Sequence, residues 1–262
     1  MTLNPGRLTA SEDEIFYALE HAHDDSTFLG RLYRDGVPTP EAYLAQRVRV
    51  LFVFREPNMG GKAYPHDMRD EVRDPQFRPL APDGTRKERS PKCWWNWKAG
   101  MFAHAVAAAL EGDRWDEAFS RFRTGGWNHE VVNRFAYVQI KKVGGGGTSK
   151  ADEICSHAAK YATTLKRQLD LYRPHLVLGC GVGRDSPARL FAAHVLVGGR
   201  EAITDQTEAT WWEFPLAARP RALVQLWHPA RRGLRSELYQ DVWSSVHEVV
   251  HTIGPGSVLT TV

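Results

Sequence analysis

Four places in this 262-residue sequence set a reactive side chain beside a turn-forming proline or glycine. The first is Arg55-Glu56-Pro57-Asn58-Met59-Gly60-Gly61, where a carboxylate, Glu56, stands at a tight turn. A carboxylate so placed can align a water molecule and stabilise a developing cation. The second runs from Gln139 through Lys141, Lys142 and four glycines to Ser149 and Lys150. Glycines before a helix start expose backbone N–H groups, which attract phosphate. The spacing is not that of a P-loop. The third is Gly179-Cys180-Gly181-Val182-Gly183, a G-x-G-x-G turn with a weak nucleotide or methyl-donor signal. The fourth is Trp227-His228-Pro229-Ala230-Arg231-Arg232-Gly233-Leu234. Its imidazole can donate to a departing anion, and its two arginines can hold phosphates. Each site has a plainer reading: a solvated loop glutamate, a flexible linker, glycines for close helix–strand packing, a structural histidine. His228 is singled out from the other ten histidines only by its company.

Each of the four follows a short apolar run that reads as a buried strand. The runs are Val48–Phe54, Phe135–Ile140, His175–Gly179 and Ala222–Trp227. Continuous rather than alternating hydrophobicity marks strands covered on both faces, as in a parallel sheet. Helical periodicity fills the intervals, over about 11–22, 99–111, 151–171 and 236–251, with Ser149 and Asp152 resembling a capping pair before the third of these. Strand–helix alternation predicts a three-layer α/β/α sandwich around a four-stranded, mainly parallel sheet. In such sheets function gathers beyond the carboxyl ends of the strands. Residues 60–92 are charged, Pro-rich and irregular. They read as an insertion or lid within one domain spanning 1–262.

Composition sets the outer bounds. Hydrophobic residues make up 42% and charged residues 25%, a globular balance that excludes disorder and coiled coil as the main architecture. A chain this long buries roughly 70–75% of its unfolded surface, enough for a core without staples. No apolar run approaches the ~20 residues of a membrane span. The first residues lack an apolar signal region. Three scattered cysteines, Cys93, Cys155 and Cys180, make neither a disulfide framework nor a four-cysteine cluster. A cytoplasmic protein with no membrane partner is the expectation. The net charge is only +3, from 34 basic and 31 acidic residues, so the distribution matters more than the sum. Residues 219–237 hold Arg219, Arg221, Arg231, Arg232 and Arg235 against one acid, Glu237.

The ordered set FREPN (54–58), YVQIKK (137–142), RPHLVLGCG (173–181) and WHPARRG (227–233) resembles the motifs of the uracil-DNA glycosylase superfamily, over about residues 48–250. The resemblance implies that fold, no cofactor and no metal, and a monomer acting on DNA. It implies that Glu56 orients or activates water and that His228 stabilises negative charge on the departing base. Gln139 takes the place of the amide that reads the base. Lys142 matches a lysine of some branches, and Asn58 stands beside the base in the first motif. Tyr64, Trp94, Trp95 and Trp97 are the candidates for stacking on a flipped base. DNA contacts fall to Arg55, Lys62, Gly145, Gly146, Ser149, Lys150, Arg231 and Arg232, and the loop containing Leu234 resembles the segment that wedges into the duplex. The sequence departs from the family at Phe54, Asn58, Gln139 and Ala230, where glycine, glycine, asparagine and serine are usual. It also lacks the four cysteines of the iron–sulfur branches. Uracil itself is therefore open as substrate. Two Gly-rich loops leave room for a bulkier modified pyrimidine, such as those of phage DNA, which would place the protein in antiviral defence rather than in DNA repair by base excision.

The chemistry is coherent on its own terms. Cleaving a C1′–N bond builds positive charge on the sugar and negative charge on the base, which a carboxylate and an imidazole donor can meet. A base in a duplex must first be flipped out and held by stacking and edge hydrogen bonds. Three other readings stay open from the residues alone: an inactive reader of modified bases on the same fold, a transferase using the GCGVG turn, and a lyase with Lys62, Lys141 or Lys142 as a Schiff-base amine.

Overall fold

The computed structural model describes residues 3–21, 32–57, 66–73, 94–125, 129–144, 150–183, 186–196, 210–213, 222–229 and 234–253, without the side chains of 94–97, 129, 210 and 213. In chain order the elements are α1 (Pro5–His21), β1 (Tyr33–Arg34), α2 (Pro40–Leu44), β2 (Val50–Phe54), β3 (His66–Asp67), α3 (Met68–Arg73), α4 (Trp94–Glu111) and α5 (Trp115–Arg123). Then come β4 (Ala136–Gln139), α6 (Ala151–Lys160), α7 (Ala162–Tyr172), β5 (Leu176–Cys180), α8 (Pro187–Phe191), β6 (Thr210–Glu213), β7 (Ala222–Leu226) and α9 (Arg235–Ile253). Among the described residues no helix is long and apolar enough to cross a membrane.

Alternate residues along each strand point to opposite faces, and here each face meets its own core. Val50, Phe52, Phe54, Phe135, Tyr137, Leu176, Leu178, Val224 and Leu226 join α4, α5 and α9 in one apolar cluster. Leu51, Val53, Ala136, Val138, Ile140, Val177 and Leu223 join α1, α2, α6, α7 and α8 in the other. Burial on both sides is why the strand sequences read as unbroken apolar runs. The fold is α/β, with a mostly parallel five-stranded sheet and helices on both faces.

The sheet order is β4-β2-β5-β7-β6. The chain lays β4 on one side of β2, then crosses over to place β5 on the other. Four strands are parallel and correspond to the four apolar runs, each within two residues of the expected ends. The expected four-stranded sheet gains a fifth member: β6 pairs antiparallel with β7 at the edge. Its sequence, Thr-Trp-Trp-Glu, is too short to write a strand period, yet Trp211 packs on one core and Trp212 on the other. The helix expected over 151–171 is two helices that meet at Tyr161, which has φ −103° and ψ 15°. At the start of α6, Lys150 is the cap residue and makes no side-chain cap hydrogen bond; Ser149 lies outside the described residues. The stretch 60–92, expected to be irregular, holds structure over 66–73. There β3 pairs parallel with β1, and Met68, Arg69 and Val72 of α3 are buried.

Close packing explains the GCGVG turn. A Cβ on Gly179 would overlap the backbone of Ala188, so α8 lies directly on β5. Gly181 follows with φ +141°, a backbone conformation open to glycine.

A buried polar knot secures the outer strand. Residues 32–36 run alongside β4, with Gly36 paired to Tyr137 through backbone bonds of 2.8 and 3.0 Å. Asp35 within this segment is fully buried. Its Oδ2 accepts from the Gln139 backbone N–H and from the Lys142 ammonium, both at 2.6 Å. Its Oδ1 accepts from Gln168 Nε2 at 2.7 Å, and Gln168 Oε1 accepts in turn from Lys142 at 2.7 Å. Burial pulls the Lys142 pKa down, and Asp35 partly holds it up. Both side chains of the pair are 0% exposed. Lys142→Met leaves Asp35 buried without its counter-ion, and removing one partner of such a pair typically costs about 3–5 kcal/mol. Urea unfolding should show a loss of that size; a change below about 1 kcal/mol would mean that the knot carries little stability.

Candidate active site

Because β2, β4, β5 and β7 are parallel, their carboxyl ends share one edge of the sheet. Phe54 stands beside Gln139, Val53 beside Gly179, and Cys180 beside Leu226. Pairing continues past the strands. Ile140 and Lys141 donate to the carbonyls of Phe54 and Arg55 at 2.9 Å, and Gly181 donates to Leu226 at 2.8 Å. The loops that begin with Glu56, Lys141, Gly181 and His228 are therefore rooted side by side. This edge is also where the strand order reverses, between β2 and β5, the usual place for a ligand crevice.

Glu56 is well shielded, with a side chain only 4% exposed. Lys141 Nζ lies 2.8 Å from its Oε2 and 2.9 Å from Oε2 of Glu153 on α6. Burial alone would lower the Lys141 pKa; a hydrogen bond to Glu153 and attraction from both carboxylates outweigh it and hold the ammonium above its ordinary value, the approach to Glu56 Oε2 being an ion pair without hydrogen-bond geometry. His157 on α6 also lies within their electrostatic reach. Burial, with Lys141 and Lys160, pushes its imidazole down to about 4, and its Nδ1 is buried without a hydrogen-bond partner.

Gln139 ends β4 and is 5% exposed. Its backbone N–H is held by Asp35, while its side-chain Oε1 is buried with no hydrogen-bond partner among the described residues. A buried acceptor without a donor is costly in a folded protein, and a ligand N–H would satisfy it.

His228 follows β7 at the opposite side of the edge. Burial pushes its imidazole down to about 4, and the positive charges of Arg55 and Lys98 add to the effect. It is therefore neutral at pH 7, with one ring nitrogen protonated and the other not. Arg55 reaches across the strand ends, with Nη2 3.3 Å from the carbonyl of Val182. Lys98 enters from α4.

The expected site residues divide by position. Glu56, Gln139 and His228 come to the same edge, as the sequence reading expects. Lys142 does not: it is fully buried in the knot with Asp35 and Gln168. Consecutive residues at a strand end face opposite ways, so Lys141 is the lysine beside Glu56 and Lys142 touches no base. Arg55 is half-buried, with Nη2 against the carbonyl of Val182. Lys150 is exposed, its Nζ 3.3 Å from Glu153. Leu234 is 64% exposed, one residue before α9. Asn58, Lys62, Tyr64, Gly145, Gly146, Ser149, Arg231 and Arg232 lie outside the described residues, as do the side chains of Trp94, Trp95 and Trp97. Glu153, His157 and Lys98 were not singled out in the sequence. Glu153 and His157 are polar residues of an amphipathic helix and Lys98 is a lone cation near the start of an apolar one, and only the fold brings them to the edge.

Among the described residues no three His, Cys, Asp or Glu side chains converge to hold a metal ion. No protein-family model matches the chain, no curated protein is significantly similar to it, and no solved structure matches it.

The depressed histidine gives a pH signature. An imidazole near 6.5 when unfolded and about 4 when folded resists protonation in the native state. Its contribution to stability is complete above about 6.5 and is lost as the pH falls toward about 4. His228→Gln should therefore flatten the dependence of the unfolding free energy on pH across that window. An unchanged slope would place His228 in solvent.

Proposed function

We propose that the protein is a DNA glycosylase that hydrolyses the N-glycosidic bond of a flipped-out pyrimidine, uracil or a bulkier modified base, and leaves an abasic site. The observation that carries the reading is the presence of a shielded carboxylate, an unsatisfied amide and a neutral imidazole at the carboxyl ends of three parallel strands, β2, β4 and β7, along one edge of the sheet. The motif resemblance assigns these same residues the same work.

In this reading the base enters between Gln139 and His228. Gln139 Oε1 accepts an N–H from the base edge, which satisfies an atom left unpaired in the free protein. As the C1′–N bond lengthens, negative charge gathers on the base. The His228 N–H donates to it, and Arg55 and Lys98 supply a positive field. A donor fixed in place before the reaction needs no reorganisation as charge develops. Positive charge gathers on the sugar, opposite Glu56. The carboxylate attracts this charge and orients the water that attacks C1′. The proton released by water passes to the carboxylate, and the base leaves.

A Schiff-base lyase through Lys141 or Lys142 fits less well; Lys62, the third candidate, lies outside the described residues. Such a lysine needs a lowered pKa and access to the sugar. Lys141 has a raised pKa, and Lys142, whose pKa is lowered, is sealed in the core. The GCGVG turn needs no nucleotide to explain it, since α8 occupies the space above Gly179.

Glu56→Gln and His228→Ala should each lower the rate of abasic-site formation by about 10²–10⁴-fold, with DNA affinity kept within a few-fold. Single-turnover kinetics on a cleavable duplex measures both. Wild-type rates in both variants would remove the mechanism.

A further inference from the structure

A line of alternating charge runs from the protein surface to Glu56. Lys150 Nζ lies 3.3 Å from Glu153 Oε1, Glu153 Oε2 lies 2.9 Å from Lys141 Nζ, and Lys141 Nζ lies 2.8 Å from Glu56 Oε2. Side-chain exposure falls along it, from 79% at Lys150 through 45% at Glu153 and 10% at Lys141 to 4% at Glu56. The outer cation faces solvent and the inner carboxylate is sealed. The four members stand on three footings: Lys150 and Glu153 open α6, Lys141 leaves β4, and Glu56 leaves β2. Lys141 is rooted firmly, because its backbone N–H donates to the carbonyl of Arg55, the residue before Glu56.

We propose that Lys141 is the positioning residue for Glu56 and that Glu153 meters its hold, so that a backbone phosphate bound at Lys150 is sensed at the carboxylate. The inference rests on the glycosylase reading and adds a regulator to it. One ammonium serves two carboxylates, and they compete for it. While Lys150 holds Glu153, the pull of Glu153 on Lys141 is divided and Lys141 stays with Glu56. A phosphate that takes Lys150 frees Glu153 to turn fully onto Lys141. Glu56 then loses part of its partner and gains the freedom to accept a hydrogen bond from water. The effect is stronger toward the buried end, where charges are less screened. A carboxylate held by lysine in the free protein and loosened on DNA would suppress idle water activation and tie turnover to engagement.

The three bridging residues should then give three different signatures. Lys141→Met misplaces Glu56 and should lower kcat by about 10²-fold with KM little changed, since small misplacements at a reacting centre have effects of that order. Lys141→Arg, which keeps the charge, should restore part of it. Glu153→Gln leaves Lys141 wholly to Glu56 and should lower kcat about fivefold, a typical coupling between sites. Lys150→Ala loses the phosphate contact but also the outer restraint on Glu153, so KM should rise while kcat holds. Thermal melts of each variant establish that it is folded.

A second readout does not depend on turnover. The 13Cδ resonance of Glu56, assigned by its loss in Glu56→Gln, should move when a duplex is added to the wild-type protein, and should stay still in Glu153→Gln. If that signal moves as expected but no base is released by any form, the coupling stands and the glycosylase reading falls. If base is released but Glu153→Gln has wild-type kcat and a wild-type Glu56 response, the coupling falls and the glycosylase reading stands. No response of Glu56 to DNA in the wild-type protein also overturns the coupling.

Discussion

Asp35 and Lys142 face each other at 2.6 Å with no exposed surface on either side chain, and the candidate site at the sheet edge hangs from that pair. Two charges taken out of water are stabilising only when every remaining donor and acceptor is met. Gln168, whose amide bridges both partners, and the Gln139 backbone, which gives its N–H to the same carboxylate oxygen, supply the hydrogen bonds around the pair. One side effect of this arrangement is positional. With Gln139 and Lys142 both tied to Asp35, the two residues between them have a single course. Ile140 and Lys141 are drawn against the end of β2, and the Lys141 ammonium arrives at Glu56.

The parallel sheet supplies the other half of the geometry. Parallel strands deliver their outgoing loops to one edge whatever their order in sequence, so Glu56, Gln139 and His228, separated by more than 80 residues in two intervals, meet there. Two apolar faces make the platform rigid. Phe54 stacks with Phe52 and Tyr137 beneath the loop of Glu56. Arg55 then bridges from the β2 loop to Val182, and burial, with the added charge of Arg55 and Lys98, keeps His228 neutral.

The legible parts of this architecture were those written as local patterns. Strands buried on both faces gave unbroken apolar runs, and their ends marked Glu56, Gln139 and His228. What the sequence hid was of three kinds. Strand β6 is four residues at an edge, so period and length were silent. Lys141 and Lys142 are neighbours of one type, and a shift of one residue exchanges the two faces of a strand; composition could not say which would be buried. Asp35, the partner that decides the matter, lies 104 residues before Gln139. The line from Lys150 to Glu56 was equally hidden, because Glu153 reads as an ordinary acid in the first turn of a helix.

The central claim is that this edge breaks a glycosidic bond. The most direct measurement is mass spectrometry of free base after the wild-type protein is incubated with DNA carrying uracil and with phage DNA carrying modified cytosines. Glu56→Gln is treated in the same way. The account expects one kind of free pyrimidine, with an alkali-sensitive abasic site left in the strand and neither product from the variant. DNA that is bound but releases no base from any of these substrates would contradict it and leave the fold as a reader of DNA.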